Sequence, residues 1–541
     1  MREISSPLDG FASPFGPQRG FNPLRIFAND EPGVWFEAND STTLFTDVAG
    51  TTPVTTPGDA VALQLDKSQG LTLGPELADT SVVSVSAATG AVVGSQPVGL
   101  SASSFYEVVV TISNYVSGSI RLEFKSGQNT SYFNASETFT LTPGVSGNVQ
   151  FRTLGTTDLD VAISVKELPG NHRTQATVAA RPLYALHPVG GVRNLLQYTE
   201  EFDNAVWAKE KIGAGTAPVV TSNAALAPDG TMTAERVVFT LPSGATVSDS
   251  SQLVQDFTFA DATYAGSIYI KSNTGADQDI ILLIRNGQVA TVTATSEWQR
   301  ISGSVVATAA TSNFGLRARG TFTAETVDLL VWGAQLEQGS TATNYQRVGS
   351  FLDVSEEGKA RRGRLWYNGT SHFMQTGTIT PGTDKVQVFA GVRKLSDAAT
   401  GYVIEHSSSF AGNNGAFALI VPSNVTPVRS QFVSKGTSIA SIQTTLVGVA
   451  PVTQIYTALG DISGDLATLR IDGTQVNQST ADQGTGNFLA YPIYFGARSG
   501  AALFFNGYED TSIIRFGPNL DDTTISKVES YVASKTPEPT L

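Results

Sequence analysis

A period-two alternation of apolar and polar residues constrains this chain more than any other feature. In the run SFYEVVVTISNYVSGSIRLEF, residues 104–124, Ile120, Leu122 and Phe124 alternate with charged neighbours. This spacing places the apolar side chains on one face of a half-buried β-strand. Glycine tolerates the backbone conformations of tight turns. The run therefore predicts two strands joined by a turn at Ser117 and Gly118.

Similar short runs recur along the 541 residues, separated by turn-forming residues that include 52 glycines. A chain of this length normally divides into several domains, each with its own core. Hydrophobic residues make up 41% and charged residues 15%, which is typical of globular domains. We therefore predict an all-β protein built from several antiparallel β-sandwiches.

Charge and cysteine content disfavour several function classes. The 34 Lys and Arg against 48 Asp and Glu give a net charge of −14, which would repel a phosphate backbone. The absence of cysteine removes disulfides and thiolate sites. The first residues lack the apolar stretch of a secretory signal, and no run is long enough to cross a bilayer. We expect neither nucleic-acid binding nor membrane insertion.

Residues 1–30 combine prolines with aromatic residues. Proline disfavours a helix, and apolar side chains on an extended segment need a groove to bury them. The segment is either a frayed terminus or an anchor that docks on another protein. The anchoring candidates are Pro7, Leu8, Phe11, Phe15 and Phe21.

Three runs carry a resemblance to a known family. They are NLLQYTEEFDNAVW at 194–207, APDGTMTAERV at 227–237 and VDLLVWGAQLEQGSTATNYQ at 327–346. Together they resemble the carbohydrate-binding-like β-sandwich of structural proteins from tailed bacteriophages. The resemblance implies a sandwich module over residues 191–349.

Three tryptophans of this module have two possible roles. An aromatic face can stack on a sugar ring, and the same residue can equally serve packing. Because all three lie in the frame that carries the resemblance, packing is favoured. They are Trp207, Trp298 and Trp332.

The C-terminal part, residues 350–541, shows a second resemblance. ATLRIDGTQV alternates and then places Asp472 and Gly473 in a two-residue hairpin turn. With DKVQVFAGVRKLSD and FFNGYEDTSIIRFG, it resembles a concanavalin A-like, or laminin G-like, sandwich. The closing DDTTISKVESYVASK, residues 521–535, predicts a short helix with Asp521 or Asp522 as its N-cap.

In the first half of the chain, two segments that resemble phage proteins are separated by about 100 other residues. Residues 34–68 and 169–182 resemble elements that phage proteins of this type carry as one nearly continuous stretch. We therefore predict a split connecting region over 31–70 and 169–190, with an inserted jelly-roll module at 71–168. SPLDG and SPFG resemble a phage leader, which implies that residues 1–30 anchor the protein to a virion.

The sequence offers no convincing catalytic site. A retaining glycosidase on a concanavalin A-like sheet needs paired carboxylates, commonly as E-x-D-x-x-E. Glu201 and Asp203 begin that pattern, but Val206 replaces the second glutamate, and the segment lies in the other module. The adjacent pair Glu509 and Asp510 would point to opposite faces of a strand, which favours a solvated face. We expect no enzymatic activity.

Calcium is the one cofactor that the sequence leaves open. Asp461 and Asp465 in GDISGD offer hard oxygen ligands, although two turn aspartates that bond to local amides are the simpler interpretation. The four histidines show no metal-ligand spacing.

The combined resemblance implies a noncatalytic virion surface protein of a phage, made in the host cytoplasm. It would be a tail-fibre, tail-tip or head-fibre adhesin that binds host saccharide and is anchored to other virion proteins. The resemblance to phage fibres leaves a homotrimer open. A purely structural virion component and a polysaccharide depolymerase are the alternatives. Binding residues concentrate on loops held by rigid sandwiches. In the C-terminal module the candidates are Tyr367, Asn413, Asn414, Tyr491 and Arg498.

Overall fold

The structure, a computed structural model, describes residues 21–101, 104–124, 129–141, 147–423, 427–444 and 448–538. Its strands form five mainly antiparallel sheets, and the one α-helix of the described residues lies near the C-terminus. The predicted all-β, multi-sandwich class is confirmed. Within these ranges no helix is both long and apolar enough to span a membrane.

The first described segment contributes short strands and two 3-10 helices. Every residue of the first strand is buried, so both faces of this strand are covered by other parts of the protein. The elements are 3-10 helices at Pro23–Phe27 and Ser41–Thr43, and strands β1 (Gly33–Glu37), β2 (Leu44–Phe45) and β3 (Leu63–Gln64).

The first inserted module is a single five-stranded sheet with its own core. Its strands are β4 (Val83–Ala87), β5 (Val92–Leu100), β6 (Phe105–Phe124), β7 (Glu137–Leu141) and β8 (Gly147–Leu168).

The predicted hairpin within residues 104–124 is wrong. β6 is one continuous strand that pairs along its length with β8, and its register shifts between Ser113 and Ser119. Gly118, with φ of 79°, lies at this irregularity. Val108 and Leu122, from the two halves of β6, belong to the same core. The alternation thus predicts the strand correctly. Ser117 and Gly118 mark a bend within this strand and not a turn between two strands.

After this module, the chain returns to the large sandwich through short elements. They are β9 (Arg173–Thr174), a 3-10 helix at Val178–Ala180, and β10 (Leu183–Pro188). The second inserted module follows them and lies between Pro188 and Gln346.

The second inserted module consists of two five-stranded sheets, with orders β11-β14-β19-β16-β17 and β12-β13-β20-β15-β18. Their inner faces share an apolar core that includes Phe202, Trp207 and Phe314. The strands are β11 (Ala208–Ile212), β12 (Thr216–Ala225), β13 (Ala234–Thr240), β14 (Ser250–Phe259), β15 (Ala262–Ser272), β16 (Gln278–Ile284), β17 (Gly287–Ala294), β18 (Gln299–Ala307), β19 (Ala310–Arg319) and β20 (Thr326–Gln338).

The remaining strands complete the large sandwich. The predicted hairpin at Asp472 and Gly473 is confirmed, because Ile471 pairs with Thr474 across it. These strands are β21 (Gln346–Ser350), β22 (Asp353–Glu356), β23 (Arg361–Asn368), β24 (Met374–Thr376), β25 (Lys385–Lys394), β26 (Tyr402–His406), β27 (Ala416–Ser423), β28 (Arg429–Lys435), β29 (Ile439–Gln443), β30 (Val452–Asp461), β31 (Leu466–Ile471), β32 (Thr474–Ser479), β33 (Ile493–Phe495) and β34 (Asn506–Phe516).

The predicted terminal helix is also confirmed, as α1 (Asp522–Lys535). Asp521 is its N-cap, and the Asp521 carboxylate accepts a hydrogen bond from the Thr524 amide at 2.8 Å. Ile525, Val528 and Val532 are buried on one face, against Trp35 and its apolar neighbours.

Residues 31–70 and 169–190 do not form a connecting region, because their strands belong to the large sandwich. One sheet has the order β21-β22-β10-β23-β34-β25-β30-β31-β32, and β1 also pairs with β34. The facing sheet has the order β2-β3-β9-β24-β33-β26-β27-β28-β29. Val34 and Phe36 supply apolar side chains to the shared core. The chain thus builds one sandwich in three pieces, with a module inserted at each interruption.

A buried ion pair joins two of these pieces. The Arg173 guanidinium donates to both carboxylate oxygens of Glu509 at 2.9 Å, and Tyr367 donates to the same carboxylate at 2.8 Å. The guanidinium also lies over the rings of Phe36 and Phe495, each 4.5 Å from its centroid. Both members of this pair are therefore enclosed within the sandwich.

Candidate functional site

A cleft with mixed aromatic and charged walls lies on the second inserted module, where it meets the β21–β22 hairpin. Its volume is about 920 Å³, within the range of ligand pockets. It is lined by Glu200, Pro228, Asp229, Tyr269, Arg300, Trp332, Asn344, Tyr345, Arg347, Ser355, Glu356, Glu357 and Gly358.

Strand alternation explains why aromatic residues form the floor. In β15, Ile268 and Ile270 point into the core, so Tyr269 points to the outer face of the sheet. A register irregularity after Ser267 places Tyr269 opposite Trp332 on β20. The following segment brings Tyr345 over both rings.

Tyr269 packs edge to face with both other rings, and the rings of Trp332 and Tyr345 are tilted against each other. The ring centroids of Tyr269 and Trp332 are 5.2 Å apart, and those of Trp332 and Tyr345 are 4.7 Å apart. The Trp332 indole donates to the Thr233 hydroxyl at 3.0 Å. At these separations no cation fits between the rings, so the cluster is a packed floor rather than an aromatic cage.

A polar network covers one side of this floor. The Tyr345 hydroxyl donates to the Glu200 carboxylate at 3.1 Å and also bonds to Thr199 at 2.7 Å. Arg347 lies 3.7 Å from Glu200 and forms a 3.0 Å ion pair with Asp353. Burial raises the pKa of Glu200, and Arg347 opposes that rise. The network holds Tyr345 in one orientation.

Three further side chains supply hydrogen-bonding groups to the cleft. Asn344 and Glu357 are exposed on its rim. Arg300 on β18 donates to Ser267 at 2.9 Å, with its guanidinium carbon 5.5 Å from the centroid of Tyr269. Planar carboxylates, amides and guanidinium groups can bond to adjacent hydroxyls, while ring carbons contact C–H groups.

The three tryptophans of this module lie in different surroundings. Trp207 is buried in the core, where its indole donates to the Tyr198 carbonyl at 2.9 Å. Trp332 lines the cleft. Trp298 is half-buried beside the ring cluster and donates to the Leu226 carbonyl at 3.2 Å.

Tyr367 is not available to a saccharide, contrary to the sequence-based expectation. Its side chain is fully buried, and its hydroxyl donates to Glu509. β23 places it in the interior because the neighbouring Trp366 takes the other face. Burial raises the pKa of the Tyr367 hydroxyl further above its usual range.

The other four candidates lie on loops of the large sandwich, away from the cleft. The Asn413 side chain accepts from the Ser408 and Ser409 amides at 2.9 and 2.7 Å, which makes it a loop cap. Tyr491 donates to the Asn414 carbonyl at 3.1 Å, so these two residues are neighbours. Arg498 lies over the Tyr402 ring at 5.8 Å. A glycan contact at these four residues stays a prediction.

The calcium candidates are already engaged by protein donors. The Asp461 carboxylate pairs with Lys385 at 2.7 Å and accepts from Asn519 at 2.9 Å. Asp465 accepts from the Gln483 amide at 2.9 Å. A calcium ion at Asp461 would have to displace the lysine ammonium. Across the described part of the chain, no cluster of three or more acidic or histidine side chains could hold a metal.

Of the anchoring candidates, Phe21 alone falls within the described residues. It is partly buried beside the apolar cluster under α1. Pro7, Leu8, Phe11 and Phe15 lie outside the described residues.

Sequence reasoning missed the cleft because its residues are distant along the chain. Glu200 and Tyr345 lie in the runs that carry the family resemblance, but Tyr269 and Arg300 lie outside them. The alternation around Ile268 and Ile270 gives the outward direction of Tyr269. Only the pairing of β15 with both β18 and β20 brings these positions together.

Comparisons with known proteins return structural likenesses alone. No protein-family model matches the chain, and neither does a curated protein sequence. A carbohydrate-binding module, CBM40, of an IT-sialidase from Ruminococcus gnavus is similar over 28% of this chain and 96% of its own, with 14% identity and a TM-score of 0.23. Domain 4 of AbnA, an extracellular arabinanase from Geobacillus stearothermophilus, is similar over 35% and 83%, with 13% identity and a TM-score of 0.25.

The receptor-binding domain of botulinum neurotoxin type G is similar over 32% of this chain, with 12% identity and a TM-score of 0.24. This chain covers 43% of that domain's length, less than two thirds.

Proposed function

We propose that this protein is a noncatalytic saccharide-binding protein whose cleft on the second inserted module holds the sugar. The observation that carries the proposal is the aromatic floor of Tyr269, Trp332 and Tyr345 beneath a rim of planar polar side chains. Sugar rings present apolar C–H faces and adjacent hydroxyls, and this cleft offers a partner to each.

The resemblance of residues 194–207, 227–237 and 327–346 to phage structural proteins supports a place on a virion surface. There the protein would bind a host glycan and contact other virion proteins through residues 1–30. One cleft of this kind supplies modest affinity, and several copies on one particle raise the effective affinity by avidity.

The test is equilibrium binding of the purified chain to extracted bacterial surface polysaccharides and to a glycan array. Substitution of Tyr269→Ala together with Asn344→Ala removes a floor ring and a rim amide. We expect wild-type binding to be saturable and the double variant to bind at least about tenfold more weakly, since each lost contact contributes on the order of 1 kcal/mol.

Tyr115→Ala is the matched control, because Tyr115 is exposed on the first inserted module, outside the cleft. It should bind as wild type does. Failure of the wild-type chain to bind any glycan would favour the purely structural virion role. Release of reducing sugar during the assay would contradict the noncatalytic proposal and favour a depolymerase.

A further inference from the structure

Arg300 differs from the other arginines at the cleft in its partners. Arg347 pairs with Asp353, and Arg193, behind the rim, pairs with Glu356 at 2.8 Å. Arg300 donates one bond, from Nη2 to the Ser267 hydroxyl, and forms no ion pair with a carboxylate of the described residues. Its Nε is buried and has no hydrogen-bond partner there.

Burying the Arg300 Nε is costly, because this donor has lost water without gaining an acceptor and no carboxylate in the described part of the chain balances the charge of the guanidinium. The planar fork of arginine matches the two oxygens of a carboxylate. The ring of Tyr269 beside the guanidinium limits its movement, so the fork is held ready for a ligand.

We infer that the cleft selects an acidic saccharide and that Arg300 binds the carboxylate of a uronic or nonulosonic acid unit. This inference rests on the proposed function. Asp229 and Glu357 also line the cleft and disfavour a ligand with several closely spaced negative charges. The ligand class is therefore a saccharide with one carboxylate in the bound unit, rather than a heavily sulfated or phosphorylated chain.

The experiment compares two matched pairs of probes on the full chain by titration calorimetry. One pair is methyl galacturonide, which has a single carboxylate, and methyl galactoside, its carboxyl-reduced form, and the other is sialyllactose and lactose. We expect at least one acidic probe to bind about tenfold more tightly than its neutral partner, which corresponds to about 1.4 kcal/mol. Added salt should weaken the acidic probe alone.

Arg300→Gln should abolish this preference, because the acidic probe should lose about tenfold more affinity than its neutral partner loses. The matched control is Arg236→Gln, because Arg236 lies on the same sheet, is paired with Asp328 and does not line the cleft. It should retain the preference. Thermal melting of both variants verifies that they are folded.

Three outcomes overturn the inference. Equal binding of acidic and neutral probes, or an equal loss of both in Arg300→Gln, would remove Arg300 as the selecting residue while leaving saccharide binding intact. Binding of none of the four probes by folded wild-type protein would count against both the inference and the proposed function.

Discussion

At the scale of single residues, β34 holds two neighbouring acidic side chains away from solvent. Glu509 and Asp510 are adjacent, and their alternation favours a solvated face. Both are instead buried, because Arg173 pairs with Glu509 and Arg364 pairs with Asp510 at 2.8 Å. Adjacent strand residues do point to opposite faces, as expected, but each face here meets an arginine from a distant part of the chain.

Removing one member of the Arg173–Glu509 pair should strongly destabilise the large sandwich. Arg173→Met leaves a buried carboxylate without its counter-charge, so we expect a loss of about 3–5 kcal/mol in the free energy of unfolding. Denaturant unfolding followed by tryptophan fluorescence measures it. Arg236→Met, which breaks a more exposed pair with Asp328, should cost no more than about 1 kcal/mol. Equal costs for both variants would contradict this account.

A carboxyl pair in the second inserted module should make stability depend on pH. Burial, followed by the charge of Asp203, raises the pKa of Glu235 to about 8 from its ordinary 4.5. The Glu235 side chain also accepts from the Asp203 amide at 2.9 Å. The folded chain thus holds a proton that the unfolded chain releases between these values, so stability falls as pH rises from about 4.5 to 8.

Glu235→Gln removes this titration while keeping a neutral hydrogen-bonding group. The stability of wild type relative to this variant should therefore decrease between pH 5 and pH 9. Urea unfolding at both values measures the difference. A constant difference across the range would show that Glu235 titrates normally.

At the scale of elements, strand positions were predictable where alternation was regular, as in β31 and β32. The bend in β6 was not, because Ser117 and Gly118 fit a hairpin turn as well as they fit an irregularity in a long strand. What decides between them is β8, a partner long enough to pair with both halves of β6. The cleft escaped prediction for a similar reason, since Tyr269 and Arg300 meet only through strand pairing.

The bend should depend on the absence of a side chain at position 118. A Cβ there would lie 2.6 Å from the Cα of Thr157 and 2.8 Å from the Thr156 carbonyl oxygen. Gly118→Ala should therefore destabilise the first inserted module and speed amide hydrogen exchange in β6 and β8. Gly90→Ala is the control, since Gly90 has the same φ of 79° with open space around it. It should show only the cost of a left-handed backbone, about 1–2 kcal/mol.

At the scale of the whole molecule, the three-piece sandwich brings the ends of the first insertion together. The Asn171 amide donates to the Asp66 carboxylate at 2.7 Å, and the Asp66 amide donates to His172 at 2.8 Å. A module whose ends meet in this way can be inserted without altering the sheet. The resemblance of residues 34–68 and 169–182 to one continuous stretch is consistent with this geometry.

Replacement of residues 71–168 by a short Gly-Ser linker should therefore leave the sandwich folded. It removes Phe105 and Leu168, which pack on Leu63 and Leu65, so we expect a loss of about 2–5 kcal/mol in unfolding free energy. Saccharide affinity should stay within about twofold, because the cleft uses residues outside the deletion. Near-ultraviolet circular dichroism follows the tertiary structure of the sandwich and its unfolding. Calorimetry measures the saccharide affinity. Loss of tertiary signal would show that the inserted module is required for folding.

The pairing of β1 with β34 has a consequence during synthesis. Trp35 aligns with Ile513, so β1 must wait for a strand that is made about 480 residues later. At about 5–20 residues per second this wait lasts tens of seconds, during which β1 lacks its neighbour. An unpaired apolar strand is a template for aggregation. The inserted modules can fold as they emerge, whereas the sandwich closes last, and the yield of soluble protein should respond to translation speed and chaperone supply.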